Sequence, residues 1–335
     1  MPITRKPDFS QLLKVLDRRA PDRPVLFELF IDGPAMRCAM QNGAQTPAQA
    51  YAALGYDYAS VVASGFHFPN KQRKRGADAK SLSINAPPMI TDRASFDSYP
   101  WMDPEACDYS SLEEALPPGM KFMVRGPGGV LENVIKILGY DNMCYILYED
   151  KQLLADVFER VGSGLAAYYS IAAARDSVGL LMLNDDWGFN TQPMLSPEDM
   201  RRYVFPWHRE IVGIAHGLDK PAVLHSCGNF SQIIGDLYAI GFDGRHSYED
   251  NILPVEEAYE LFMGGKLPGG GMAVLGGIDL HFLCTAAPEE IKARSRAMLA
   301  RARERGGYAL GSGNSVPDFC PVENYLAMIS VIDEV

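Results

Sequence analysis

The chain has 335 residues, 47% hydrophobic and 22% charged, with 31 Lys and Arg against 42 Asp and Glu for a formal net charge of −11. This is ordinary globular composition, long enough for two average domains or one enlarged α/β barrel, and its acidity argues against nucleic acid as a partner. The six cysteines (Cys38, Cys107, Cys144, Cys227, Cys284 and Cys320) are scattered without a C-x-x-C pair, which excludes a disulfide scaffold and suits a reducing cytosol.

In chain order, Met1 to Leu13 lacks the apolar core of a signal peptide. The longest weakly polar stretch, Gly164 to Ala174, falls short of the roughly 20 apolar residues that a membrane-spanning helix needs. A soluble, cytoplasmic protein with no membrane partner is expected. From Pro24 onward, short apolar runs alternate with longer helical patterns. The predicted strands are Val25–Ile31, Ala59–Ala63, Lys121–Arg125, Leu180–Asn184, Ala222–His225, Asp243–Ser247, Ala273–Gly276 and Tyr308–Gly311. Most read as fully buried strands bounded by turn formers. Ser196-Pro197-Glu198-Asp199 carries a capping hydroxyl, a proline at the first helical position and two acids at the positive dipole end. Ala287-Pro288-Glu289-Glu290 starts another helix, predicted to run through Arg301–Arg305 to Gly306-Gly307. Further helices are expected over Asn229 to Ile240 and Pro254 to Met263.

Alternating strands and helices imply parallel strands joined by right-handed crossovers. Eight of them predict an α/β fold of the (β/α)8 TIM-barrel type, ahead of a doubly wound open sheet. The surplus length gathers between the second and third strands, from Gly65 to Gly119, where seven prolines punctuate weak periodicity. An elaborated loop region over the barrel mouth is expected there, suited to a lid, a dimer contact or a docking site. With no linker and no internal repeat, residues 1–335 read as one domain, and a homodimer stays open.

In a barrel the chemistry sits just past the C-terminal ends of the strands. The fourth strand is followed by Asp185-Asp186-Trp187-Gly188 and the fifth by His225-Ser226-Cys227-Gly228-Asn229. Tyr248-Glu249-Asp250-Asn251, Gly277-Ile278-Asp279 and Ser312-Gly313-Asn314-Ser315 follow the next three. His225-x-Cys227 is the sharpest pattern, since positions i and i+2 of an extended segment face one side and can reach one metal ion. A mixed nitrogen and sulfur pair suits Zn²⁺ better than Mg²⁺ or Ca²⁺. A buried cysteine beside a hydrogen-bonded histidine, or a Cys–His nucleophile pair, are the alternatives. Further ligands must come from Glu249, Asp250, Asp279, Cys320 or an aspartate of the fourth strand. Because adjacent strand residues face opposite sides, one of Asp185 and Asp186 is structural, and Asp186 is favoured for the site. Gly126-Pro127-Gly128-Gly129 reads as a tight strand-to-helix turn, with an anion-cradling turn as the alternative. Lys71-Gln72-Arg73-Lys74-Arg75 is a solvated loop or a dock for an acidic partner, and Phe66-His67-Phe68 either lines the mouth or packs the loop down.

Several of these motifs resemble the uroporphyrinogen decarboxylase superfamily. They are Asp185-Asp186-Trp187-Gly188 leading to Ser196-Pro197, His225-Ser226-Cys227-Gly228-Asn229, Leu275-Gly276-Gly277-Ile278-Asp279, Leu310-Gly311-Ser312-Gly313-Asn314 and Pro321-Val322-Glu323-Asn324-Tyr325. The resemblance runs through most of the chain in order, from Pro21-Asp22-Arg23-Pro24-Val25, and implies a (β/α)8 barrel. Decarboxylases of this superfamily carry an arginine-rich segment after the first strand for substrate carboxylates. Here the stretch reads Phe27-Glu28-Leu29-Phe30-Ile31-Asp32-Gly33, so a porphyrinogen would meet acids at the mouth. The corrinoid-dependent methyltransferase branch is the better match, because it uses His-x-Cys and a later cysteine as zinc ligands.

That resemblance implies a Zn²⁺ cofactor, a methylcobalamin-type corrinoid carried by a partner protein, and a small-molecule methyl donor or acceptor. The later cysteine belongs in a Gly-Cys-Gly turn, which here is Gly311-Ser312-Gly313. Cys320, or a carboxylate such as Glu249 or Asp279, would then join His225 and Cys227. Asp186 would orient or deprotonate substrate, Asp279 and Asn314 would line the cavity, and His67 and Ser312 would face the corrinoid. A metal-free decarboxylase of some other carboxylated small molecule is the alternative, followed by a non-catalytic ligand-binding barrel.

Overall fold

The computed structural model describes residues 5–31, 33–71, 84–264 and 271–334. It is an α/β fold with one parallel sheet of seven strands. These are β1 (Tyr58–Val62), β2 (Lys121–Arg125), β3 (Val178–Asn184), β4 (Ala222–His225), β5 (Gly244–His246), β6 (Ala273–Leu275) and β7 (Tyr308–Ala309), neighbours in space in the order of the chain. The register places Asn184 beside His225, and His225 beside His246. The C-terminal ends of β3, β4 and β5 are therefore level, and the residues that follow them emerge side by side.

The first predicted strand, Val25–Ile31, forms no ladder, and this corrects the expectation. It makes isolated parallel bridges at Leu26 to Leu310 and Ile31 to Val316. Its backbone groups are instead satisfied by hydroxyls, as buried peptide groups must be. Glu28 N donates to Tyr58 Oη at 2.6 Å, and Tyr58 Oη donates to Glu28 O at 2.6 Å. Ser60 Oγ donates to Leu29 O at 2.6 Å, and Ile31 N donates to Tyr51 Oη at 3.1 Å. On the other side Phe27 N donates to Leu310 O and Leu310 N to Val25 O, both at 2.8 Å. The segment thus lies between β7 and β1, tied to one by backbone and to the other by side chains.

Helix starts follow the expected caps. Ser196 Oγ accepts from Asp199 N at 3.1 Å, and Glu290 accepts from Ala287 N at 3.0 Å at the start of Pro288–Ala302. That helix ends before Arg305, and Gly306 and Gly307 follow with φ of +71° and +69°. The described part of the 65–119 region packs against the helix Lys151–Ala173. Phe66 stacks on Tyr168 at 5.9 Å, and Phe68 meets Trp101 edge-on. Gly164 permits this, because a Cβ there would stand 3.2 Å from Phe66 and 3.4 Å from Phe68. These phenylalanines hold the segment down, while His67 between them is exposed and bonds Gly65 O at 2.9 Å. Of the basic cluster, only Lys71 falls among the described residues, and Asp32 lies outside them as well. No helix among the described residues is long and apolar enough to cross a membrane.

Candidate metal centre

The adjacent aspartates after β3 divide as strand alternation requires. Asp185 is fully buried and accepts four hydrogen bonds, from Leu131 N, Glu132 N, Trp187 Nε1 and His208 Nε2. The first two are the free amides at the start of the helix Val130–Leu138, so the carboxylate caps that helix and compensates its positive end. The glycine turn before it is shaped for this carboxylate rather than for a bound anion. A Cβ on Gly129 would stand 2.0 Å from Asp185 Cβ.

Asp186 is half-buried and turns toward the loop after β4, where Oδ1 accepts from Cys227 N at 2.8 Å. Cys227 Sγ lies 3.8 Å from His225 Nε2, and His225 Nε2 lies 3.9 Å from Asp186 Oδ1. The ligand atoms of Asp186, His225 and Cys227 all fall within 4.8 Å of one another. Bond lengths of about 2.0–2.3 Å to one tetrahedral ion put ligand atoms roughly 3.3–3.6 Å apart. The two separations that His225 Nε2 makes, to Cys227 Sγ and to Asp186 Oδ1, are within a few tenths of an ångström of that spacing.

A hydrogen-bond chain decides which nitrogen of His225 is available. Ser312 O can only accept, and it lies 3.0 Å from His246 Nε2, so that nitrogen carries the proton. His246 Nδ1 is then an acceptor, 2.7 Å from His225 Nδ1, which must be the donor. His225 Nε2 is left with its lone pair facing Cys227 and Asp186. Both rings are neutral, since burial lowers His225 to about 3, helped by the Arg245 charge, and holds His246 well below its ordinary value. Burial pushes the Cys227 thiol well above its usual range, and the Asp186 and Glu249 charges add to this. A thiolate–imidazolium pair is therefore disfavoured, which weakens the Cys–His nucleophile reading. Burial likewise raises the Asp186 carboxyl, against hydrogen bonds from Cys227.

Two further side chains touch the sulfur. Asn314 Nδ2 donates to Cys227 Sγ at 3.1 Å, and Ser247 Oγ lies 3.7 Å away. Arg245, buried on β5, was not singled out in the sequence. Its guanidinium donates to Ser247 O at 2.5 Å and Ser226 O at 2.9 Å, and packs on Phe230 with its centre 3.8 Å from the ring. It ties together the loops after β4 and β5 that carry Cys227 and Ser247. A Gly-Arg-His run inside a predicted buried strand was the available signal.

The other sequence candidates lie outside the three-residue group. Asp279 caps the helix Leu280–Thr285 by accepting from Phe282 N at 2.9 Å, and accepts from Asp250 N at 3.0 Å. Asp250 is itself engaged by Arg294 at 2.7 and 2.8 Å. Cys320 is buried against the Cys284 thiol with Sγ 3.8 Å from Pro321 O. Glu249 is felt as a charge at Cys227 and raised by burial, without joining the group. Ser312 is fully buried behind His246 rather than exposed to a cofactor. Contrary to expectation, Glu28 is also fully buried and presents no acid at the mouth to a polyanionic substrate. A cavity of about 110 Å³ adjoins Asp186, with Glu132 and Lys136 on its polar side and Ile84, Ala86, Ile135 and Met194 on its apolar side.

The fold and these motifs define a class. Residues 123–335 match the family model described as uroporphyrinogen decarboxylase (URO-D), and the chain belongs to that family. Its relatives are enzymes of two kinds. A uroporphyrinogen decarboxylase of Chloroflexus aggregans is 26% identical over 56% of this chain and 49% of its own length. The methylcobamide:CoM methyltransferase MtaA of Methanosarcina barkeri is 25% identical over 53% of this chain and 49% of its own. A methylated-thiol–coenzyme M methyltransferase of Methanosarcina mazei is 24% identical over 59% and 49%. The matches thus span about half the length of these curated relatives. A solved methyltransferase from Methanosarcina mazei shares the fold over 98% of this chain and 99% of its own, with a TM-score of 0.67 at 16% identity.

Proposed function

We propose that this chain is a zinc-dependent methyltransferase, built as a (β/α)8 barrel closed by the 25–31 segment, that moves a methyl group between a small substrate and a corrinoid carried by a partner protein. The observation that carries the reading is the Asp186, His225 and Cys227 group, with His225 Nε2 stripped of its proton by the His246–Ser312 chain. The donor set fits the ion: one imidazole, one thiol and one carboxylate, leaving a position for substrate as catalytic zinc sites do. When bound, zinc would supply Lewis acidity that lowers a thiol's pKa or activates a methyl donor near a methyl–cobalt bond.

The chain's own residues do the rest. His225 and Cys227 hold the ion, and Asp186 takes the third place that Gly311-Ser312-Gly313 leaves without a thiol. Asn314 steadies the Cys227 sulfur through its amide. The cavity beside Asp186 receives the substrate, its apolar wall meeting the methyl-bearing part. Lys136 and Glu132 face the same space, and burial raises the Glu132 carboxyl above its ordinary value while the Lys136 charge opposes this.

Metal analysis of protein purified without chelator tests this. Stoichiometric zinc is expected in the wild type and in Cys320→Ala, with loss in Cys227→Ala. No zinc in the wild type, even after addition of the metal, would overturn the reading. Decarboxylation of a carboxylated small molecule is the second reading, supported by the decarboxylases among the relatives. Metal-independent release of carbon dioxide would favour it.

A further inference from the structure

Two hydrogen-bond paths reach the proposed ligands, and both pass through Ser312. Its carbonyl oxygen accepts from His246, which in turn orients His225. Its hydroxyl meets the carbonyl oxygen of Asn314, whose side chain donates to Cys227 Sγ at 3.1 Å. Ser312 is itself gripped by Glu28, from the opposite end of the chain. Glu28 Oε1 accepts from Ser312 N at 2.7 Å, and Oε2 lies 2.5 Å from Ser312 Oγ. The two backbones are in contact here, since a Cβ on Gly311 would stand 1.7 Å from Phe27 O and 3.1 Å from Glu28 Oε1. Glu28 and Ser312 are both fully buried, so neither is open to water as an alternative partner.

The protons can be placed. Asn314 O only accepts, so the single Ser312 hydroxyl proton goes to it when Glu28 carries a proton of its own and donates it to Ser312 Oγ. Burial pushes Glu28 up to about 8, against the Ser312 hydrogen bonds that lower it, so the carboxyl is neutral at pH 7.

We propose that Glu28 is a positioning residue: by clamping Ser312 it sets His225, through His246, and the amide of Asn314 against Cys227, and so fixes the donor geometry of the centre. The inference rests on the metal-centre reading, and its test separates the two. Wild type, Glu28→Gln, Glu28→Ala and Ser312→Ala are titrated with Co²⁺, following the sulfur-to-cobalt charge-transfer band. Without metal, peptide-resolved alkylation by iodoacetamide gives the reactivity of Cys227 alone.

Glutamine can accept from Ser312 N and donate to Ser312 Oγ as the protonated acid does, so Glu28→Gln is expected to match wild type in both readouts. Glu28→Ala is expected to bind Co²⁺ about 10–100-fold more weakly, the usual loss when a partner behind a ligand is removed, and to expose Cys227 to several-fold faster alkylation. Ser312→Ala keeps the carbonyl path to His246 and cuts the hydroxyl path. It should speed alkylation with a smaller loss of Co²⁺ affinity, and it serves if Glu28→Ala does not fold. A folded Glu28→Ala with the wild-type band and wild-type alkylation overturns the proposal. A wild type that binds no Co²⁺ overturns the metal reading, and the alkylation rates then decide the Glu28 clamp by themselves.

Discussion

At the scale of single residues, Asp185 and Asp186 share a chemistry and differ in everything around it. Asp185 satisfies four buried donors, so Asp185→Ala should cost about 3–5 kcal/mol, the range for stripping a partner from a buried charged network. Asp186 is half-buried and accepts one backbone hydrogen bond from Cys227. Asp186→Ala should change stability by no more than about 1 kcal/mol while removing the third donor. Chemical denaturation and metal analysis of both variants separate these outcomes. The pair was legible because neighbours on a strand face opposite ways. What the spacing could not show was that Asp185 would be claimed by a helix start and Asp279 by another. An aspartate before a helix and an aspartate at a site look alike in sequence.

Glu28 brings a pH dependence with a definite sign. Its carboxyl stands at about 8 in the folded chain, against about 4.3 for a free glutamate. Below the unfolded value both states are protonated and the acid costs nothing. As the pH rises toward 8, the unfolded state ionises first, and stability is lost through that window. Glu28→Gln removes the titration. Its melting temperature relative to wild type should therefore climb steadily between pH 5 and pH 8, by an amount corresponding to a few kcal/mol. A difference that stays flat over that range would mean that Glu28 is ionised when folded.

At the scale of elements, glycines distinguish shape from flexibility. Gly129 lets the helix start close on Asp185, and its missing Cβ would land 2.0 Å from the aspartate's own. Gly213 sits inside the helix Phe205–His216, exposed, with nothing within 4 Å of a Cβ. Gly129→Ala should destabilise by about 1–3 kcal/mol through overpacking. Gly213→Ala should stabilise by about 0.5–1 kcal/mol through helix propensity. Thermal melts of the two variants should move in opposite directions. Strand positions and helix starts were readable here because apolar runs, caps and turn formers agree locally. Tertiary use was not: Cys320 could be proposed as a ligand because its burial against Cys284 joins residues far apart in sequence.

At the scale of the whole molecule, the sheet and the site are joined through one short segment. A run as apolar as Phe27 to Ile31 reads as a strand, yet tyrosine and serine hydroxyls on β1 and its preceding helix replace the expected ladder. Periodicity carries no record of such a substitution, because Tyr58 and Ser60 suit a buried strand equally well. The Tyr58 hydroxyl satisfies both the N–H and the carbonyl of Glu28, so the residue that clamps Ser312 is seated by the same bonds that span the gap between the outer strands. Tyr58→Phe leaves two buried backbone groups without partners at an aromatic ring otherwise unchanged. Each should cost about 1–3 kcal/mol, for a total of about 2–6 kcal/mol in chemical denaturation. Because Glu28 shifts with its backbone, folded Tyr58→Phe should also bind Co²⁺ several-fold more weakly than wild type. A variant that loses stability but keeps wild-type affinity would show that the ring and the centre are built independently.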